Sequence, residues 1–164
     1  MRRIVSRTVA AVLALGLFGC AEQAAESTAE TEAANKAIVE RYYDGKWHAR
    51  NPAILDELQS PDVVYHGPAH EMTGLDEYKH VYNMYLSAFR DTQVTIEDLI
   101  AEGDKVVARI VLTGVHAGDL PDLPATGRSI SFTMFTIFRI VDGMIVEEWE
   151  SYDELSMMQQ LGVM

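Results

Sequence analysis

The sequence predicts an α+β fold, in which a curved, cone-shaped, mainly antiparallel sheet packs on N-terminal helices. Two observations predict it. Apolar residues recur at three-to-four spacing in the first half of the folded region, as on one face of a helix. The second half contains apolar runs of about 8 to 12 residues separated by turn signals, which is typical of consecutive strands. Helices followed by strands are the pattern of an α+β domain.

The N-terminus predicts a leader that ends at the only cysteine. Arg2, Arg3 and Arg7 provide a basic start, and the apolar run at 8–18 is shorter than the ~20 residues that span a bilayer. The run closes on Leu-Phe-Gly-Cys, which resembles a bacterial lipobox, so residues 1–19 are predicted to be a lipoprotein signal peptide and Cys20 the lipidated residue. An ordinary secretory peptide that happens to contain a cysteine is the alternative. One cysteine excludes an internal disulfide.

Residues 20–34 are predicted to be a disordered acidic tether, because they contain acids, alanines and small polar residues but no bulky apolar side chain. A solvated helix is the alternative. The formal net charge of −12 becomes more negative without the leader, which disfavours nucleic acid and anionic membrane surfaces as partners. We expect any small ligand to be neutral or cationic.

The folded domain is predicted to occupy residues 35–164. Its elements, in chain order, are a helix capped by Asn35, a short helix at 52–58, a strand at 62–66, a helix opened by a capping-box pattern at 73–76, and strands at 93–101, 105–116, 129–140 and 144–152. Glu-Gly-Asp at 102–104 and Asp-Gly at 142–143 are the predicted turns.

The last strand is the most informative stretch for function. Alternate side chains of a strand share a face, so regular alternation places Glu147, Trp149 and Asp153 on one side, together with Ile145 and Ser151. If that side faces a cavity with little water, its carboxylates are candidates for chemistry. A solvated edge strand is the alternative.

The domain resembles the SnoaL-like polyketide cyclases, or ester cyclases, of the nuclear transport factor 2-like superfamily. The resemblance rests on ordered segments at 62–66, 96–109, 114–118, 124–128 and 142–153, and on the ending Gln-Gln-Leu-Gly at 159–162. It implies an α+β barrel with a deep pocket, a dimer, and cofactor-free ring closure by aldol condensation. Val115 and Ala125 depart from the family pattern near the loop that edges the pocket, so substrate identity is not implied.

Asp153 is the acid/base that the resemblance implies, although an aspartate there can equally cap a C-terminal helix. His66 is the first candidate for stabilising an enolate, ahead of His116. Arg109 is expected to pair with Glu147 or to orient a carbonyl group. Trp47, Tyr43 and Trp149 are candidates for lining the pocket, with the core as the simpler place for the first two. The histidines do not form a metal-binding pattern, so no metal is expected.

The functional prediction is a cofactor-free enzyme that acts on a hydrophobic carbonyl compound by aspartate acid/base chemistry. The alternative is a lipid-anchored protein of the same fold that binds a small molecule without changing it. Epoxide hydrolysis is a third option, but it requires an Asp-Arg-Asp set whose third member is not identifiable. The predicted partners are a hydrophobic ligand, the membrane through Cys20 and a second copy of the chain, and the predicted location is the bacterial cell envelope.

Overall fold

The computed structural model describes residues 13–69 and 71–164, without the side chains of 13–25 and 27. The basic start of the predicted leader and the side chain of Cys20 therefore lie outside the described residues. Among the described residues, no helix is long and apolar enough to cross a membrane. The division into leader, tether and domain stays a prediction.

The first helix, α1, spans Leu13–Tyr43 and so runs through the segment expected to be a disordered tether. The helical alternative is the conformation observed, consistent with the high helix propensity of its alanines and glutamates. Asn35 was predicted to cap this helix, but it lies well inside the helix and does not cap it. Its side-chain amide instead donates to the carbonyl of Gly103, 3.1 Å away, and so ties the helix to the turn between two strands.

The remaining elements follow the predicted order. They are a π-helix at Asp44–His48, α2 at Ala53–Leu58, β1 at Gln59–His66, β2 at Glu71–Thr73, α3 at Leu75–Ala88, β3 at Phe89–Glu102, β4 at Lys105–His116, β5 at Ser129–Val141, β6 at Met144–Tyr152 and α4 at Glu154–Leu161. The π-helix and β2 were not predicted. At the start of α3 the expected threonine cap is replaced by Gly74, whose φ of +93° suits glycine.

The sheet has six strands in the order β2-β1-β6-β5-β4-β3. Its neighbours are antiparallel except β1 and β6, which run parallel. The sheet is a curved, open one, so the prediction of an α+β fold with helices covering a mainly antiparallel sheet is confirmed, whereas its closure into a barrel is not observed.

A β-bulge in β6 decides which side chains enter the core. Ile140 is paired with Ile145, but the preceding residue, Arg139, is paired with Glu147, so Val146 is an extra residue. A bulge interrupts the alternation of faces. Glu148 is consequently 1% exposed, whereas the prediction had placed the odd-numbered side chains inside.

Candidate functional site

A cavity lies between the helices and the concave face of the sheet and encloses about 100 Å³. Most of its wall is apolar or aromatic, with contributions from Val81 on α3 and from Met72, Leu112 and Phe132 on the sheet. Lys46 is the only cation and Glu150 the only carboxylate among the described residues that line it. A small number of polar groups in an apolar hollow is typical of a small-molecule site.

Glu150 is placed in the cavity by β6, on the inward face that follows the bulge. Its Oε1 accepts a hydrogen bond of 2.6 Å from the hydroxyl of Tyr65 on β1. Burial raises the pKa of Glu150 above that of an ordinary glutamate, and the charge of Lys46 and the bond from Tyr65 partly offset the increase. Glu150 is thus a carboxylate made more basic than usual and open to the cavity.

Lys46 reaches the cavity from the π-helix that continues α1. Its ammonium nitrogen donates to the hydroxyl of Tyr42 at 2.6 Å and to that of Tyr78 at 2.7 Å. The two hydroxyls also bond to each other, and both lie 3.2 Å from Oε2 of Glu148. Lys46 and Glu148 are therefore connected through two phenols.

Glu148 lies behind the cavity and closes the network. Its Oε1 accepts a 2.5 Å bond from the side-chain amide of Gln59 on β1. Burial raises the pKa of Glu148, and the nearby charge of Lys46 counteracts this. Burial likewise lowers the pKa of Lys46, and Glu148 and Glu150 counteract that. We call Lys46, Tyr42, Tyr78 and Glu148 the buried relay.

Asp153 does not enter the cavity. It is exposed, and its Oδ1 accepts a 2.9 Å hydrogen bond from the backbone amide of Ser156, so that it caps α4. The capping alternative recognised in the sequence is the arrangement observed. The expectation that Asp153 shares an inward face with Trp149 is wrong, because the odd-numbered positions that follow the bulge at Val146 face away from the cavity.

His66, Glu147 and Trp149 form a group on the opposite face of the sheet. The imidazole of His66 is stacked on the indole of Trp149 at 5.6 Å and lies 3.1 Å from Oε1 of Glu147. Glu147 also accepts two bonds from Arg139, and these contacts outweigh burial and lower its pKa. None of the three predicted site residues lines the cavity.

The other predicted site residues divide between the core, the surface and the cavity. Arg109 pairs with Glu97 and Asp98 on β3 and not with Glu147. Tyr43 is buried behind the cavity, with its hydroxyl on Thr136. His116 is fully buried against Phe89 and Thr126, and does not line the cavity. Trp47 is the one predicted residue that lines it.

Sequence reasoning missed Glu150, Tyr65 and the whole buried relay. One signal was available for Lys46, which follows Tyr42 by four residues on an otherwise aromatic helical face. The side chains of Glu148 and Glu150 point inward because of the bulge, and nothing in the sequence of β6 predicts that bulge. Among the described residues, no group of three or more histidine, cysteine or acidic side chains comes together in a way that could hold a metal ion.

Comparisons with known proteins agree on the family. The model of the SnoaL-like polyketide cyclase family matches residues 37–161. The chain is 33% identical over 129 residues to aklanonic acid methyl ester cyclase DauD of Streptomyces sp. (strain C5), a match covering 77% of this chain and 78% of DauD.

Solved structures are similar over most of this chain. TsrD from Streptomyces laurentii is 30% identical with a TM-score of 0.72, over 80% of this chain and 97% of TsrD. Wild-type IdmH from Streptomyces antibioticus is 29% identical with a TM-score of 0.69, over 78% of this chain and 98% of IdmH. The chain belongs to the SnoaL-like polyketide cyclase family, within the nuclear transport factor 2-like superfamily.

Proposed function

We propose that the chain is a cofactor-free, cyclase-like enzyme that removes a proton from carbon next to a carbonyl group of a hydrophobic compound. The observation that carries the proposal is the position of Glu150, a carboxylate at the polar end of an otherwise apolar cavity. The activity named for the relative DauD, cyclisation of an ester, supports the same class of reaction. Glu150 takes the acid/base role that the sequence had suggested for Asp153.

The geometry suggests how the reaction proceeds. The apolar wall holds the hydrophobic part of the substrate, and the carbonyl oxygen lies toward Lys46 and the phenols. Glu150, whose raised pKa makes it a stronger base than a solvated carboxylate, removes the proton. The resulting carbon nucleophile attacks a second carbonyl group of the same molecule. The protonated Glu150 then returns its proton to the new alkoxide oxygen.

A second candidate is a binding protein that holds a carbonyl compound without changing it. The observation in its favour is the leader motif that ends at Cys20, because an envelope address separates the domain from compounds that are assembled in the cytoplasm. The two functions share a cavity and differ in one measurable property, which is exchange of carbon-bound hydrogen in the ligand.

Hydrogen exchange of an aryl methyl ketone, acetophenone, in D₂O tests the proposal. Proton NMR follows loss of the methyl signal with parent protein, Glu150→Gln and the matched control Asp153→Asn. We expect Glu150→Gln to lose the protein-dependent rate by about 10²- to 10⁴-fold, the usual contribution of a general base, while the control retains it. Equal rates in Glu150→Gln and the parent, with acetophenone bound to both, would favour the binding protein.

We also propose that the mature chain is anchored to the envelope by lipid on Cys20. Support comes from the basic start, the short apolar run and the Leu-Phe-Gly-Cys motif. More than one acyl chain is needed for stable attachment. Metabolic labelling with an alkyne fatty acid should label the parent and leave Cys20→Ser unlabelled. Labelling of both would refute acylation at this site.

The outer face of the sheet is the proposed contact for a second copy. Phe135 is 49% and Ile137 38% exposed on β5, and Ile137 is paired with Trp149 on β6. Large apolar side chains that neighbour one another on a surface are typical of protein interfaces. The opposite face of the same sheet lines the cavity, so pairing through this surface leaves the cavity free.

A further inference from the structure

The cavity between the helices and the sheet is small for a ligand site. It encloses about 100 Å³. Pockets that hold drug-sized ligands measure roughly 300–1,000 Å³, and an apolar cavity of about 150 Å³ holds a benzene molecule. The space beside Glu150 is therefore suited to a single ring, whereas fused rings exceed it.

Aromatic side chains, and not the course of the backbone, make the cavity small. Helix α3 contributes Tyr78, Tyr82 and Tyr85 to its wall, and the sheet contributes Phe132 and Tyr152. Aromatic side chains are the bulkiest, each burying about 150–250 Å². Rings from both sides thus occupy space that smaller residues on the same backbone would leave open.

The inward side chains of β6 give the cavity a direction. Glu148, Glu150 and Tyr152 lie at alternate positions of the strand, so all three point to the same face. Glu148 lies at the Lys46 end, because both are bonded to the same two phenols. Tyr152 lies beyond Glu150, at the other end. A substrate whose carbonyl oxygen lies toward Lys46 therefore extends from Glu150 toward Tyr152.

Phe132 narrows that end of the cavity. It is 8% exposed, and its ring centre lies 5.5 Å from that of Tyr152. On β5 its backbone is paired with Leu112 of β4, which lines the cavity too. Because protein interiors are close-packed and their side chains occupy rotamer minima, a ring in this position does not yield easily to a ligand.

We propose that the substrate carries its carbonyl group on a single ring, or on a chain of similar length, and that Phe132 and Tyr152 exclude fused ring systems. The inference deepens the proposed function and rests on it for the orientation of the carbonyl group. The two side chains act by shape, since a ligand that overlaps them loses binding through a steric clash. They determine specificity and take no part in moving the proton.

Two aryl methyl ketones test the size limit. Acetophenone has one ring, and 2-acetonaphthone carries the same acetyl group on two fused rings, so the reacting carbon is alike in both. Ligand-observed NMR titration of the whole chain gives the dissociation constant of each ketone, and hydrogen exchange in D₂O gives the protein-dependent rate. We expect acetophenone to bind at least about tenfold more tightly, a difference that an apolar pocket can produce by size. Without a size limit the larger ketone would bind more tightly, because it buries more apolar surface.

Phe132→Ala removes the limiting ring and should reverse the preference, because the second ring then has space. The matched control is Phe135→Ala, the same substitution on the same strand, where the side chain is 49% exposed on the opposite face of the sheet. It should keep the preference of the parent. Circular dichroism establishes that both variants are folded, and Tyr152→Ala serves as a second enlarging variant.

The result that overturns the inference is binding of 2-acetonaphthone to the parent as tightly as acetophenone, or a preference that Phe132→Ala and Tyr152→Ala both leave unchanged. Exchange of both ketones at similar rates that depend on Glu150 would overturn the size limit and leave the proposed function intact. Tighter binding of acetophenone without exchange that depends on Glu150 would support the size limit and overturn the role of Glu150. Binding of neither ketone would overturn both.

Discussion

Replacing Glu148 with glutamine removes the negative charge of the buried relay while keeping the size of the side chain. Glu148 is 1% exposed and accepts bonds from Gln59, Tyr42 and Tyr78, and its charge is the main one that opposes the lowering of the pKa of Lys46 by burial. Removing one of two buried opposite charges costs about 3–5 kcal/mol, because the other charge stays buried, here with only Glu150 left to oppose it. This is a large share of the roughly 5–15 kcal/mol that stabilises a domain.

Urea denaturation measures the loss. With an m value of about 2 kcal/mol/M, a loss of about 4 kcal/mol lowers the unfolding midpoint by about 2 M. The double variant Glu148→Gln with Lys46→Met removes both charges, so its loss of unfolding free energy should be smaller than the sum of the two single losses. Additive losses would refute the reasoning, because they would mean that the two groups do not interact.

The loss caused by Glu148→Gln should also depend on pH. A lysine whose pKa is lower in the folded state than in the unfolded state destabilises the fold at pH values below its folded-state pKa. This loss of unfolding free energy disappears as pH rises toward the pKa of the unfolded state. Below the raised pKa of Glu148, that residue is neutral in the parent, so the ammonium of Lys46 lacks its charge just as it does in the variant. The difference in unfolding free energy between parent and variant should therefore be largest at pH values between the pKa of Glu148 and that of Lys46, and decrease on both sides. A difference that is flat in pH would contradict this.

Three further predictions concern the cavity, the cap and the outer face. The rate of acetophenone exchange should rise with pH, with its midpoint above 4.5, the ordinary pKa of a glutamate, because the pKa of Glu150 is raised and its ionised form is the base. A midpoint at or below 4.5 would contradict this. Asp153→Ala should cost about 1 kcal/mol in urea denaturation through loss of the α4 cap, with exchange unchanged; loss of exchange in a folded variant would restore Asp153 to the site. Phe135→Glu should convert the proposed dimer to a monomer in sedimentation analysis, whereas Leu155→Glu, 55% exposed on α4, should not; a monomeric parent would refute the dimer, and a dimer in both variants would move the interface elsewhere.

The fold was predictable because its signals are local. The stripes of α1 and α3 follow helical spacing, and the turns at 102–104 and 142–143 carry glycine, at Gly103 and Gly143, each with a positive φ. Strand β4 has the predicted bounds. The π-helix escaped prediction because its residues continue the pattern of an α-helix, and β2 because a strand of three residues has too short a pattern to detect.

The candidate site was less predictable because it depends on pairing between distant strands. The inward position of Glu150 follows from the register of β6 against β5 and from Tyr65 on β1, which lies 85 residues away in sequence. Regular alternation along β6 had predicted that Glu150 points to the opposite face of the sheet. Trp149 does share a face with Glu147, but that face is the outer one, where the indole stacks on His66 and Lys105 lies over it at 5.9 Å.

The bulge at Val146 connects the fold to the chemistry. With regular alternation, Glu147 and Trp149 would lie on the same face of β6 as Ile145 and point into the core. Glu147 would then lose its two hydrogen bonds from Arg139. The extra residue lets Ile145 stay buried while Glu148 and Glu150 replace them on the inner face. Glu150 then lines the cavity and Glu148 is buried behind it, while Lys46 is the only cation among the described residues that line the cavity. Because a buried carboxylate is costly unless it is paired or used, the bulge and the lysine have to be explained together. Glu148 accounts for the pairing, and Glu150, which opens on the cavity, is left for the reaction.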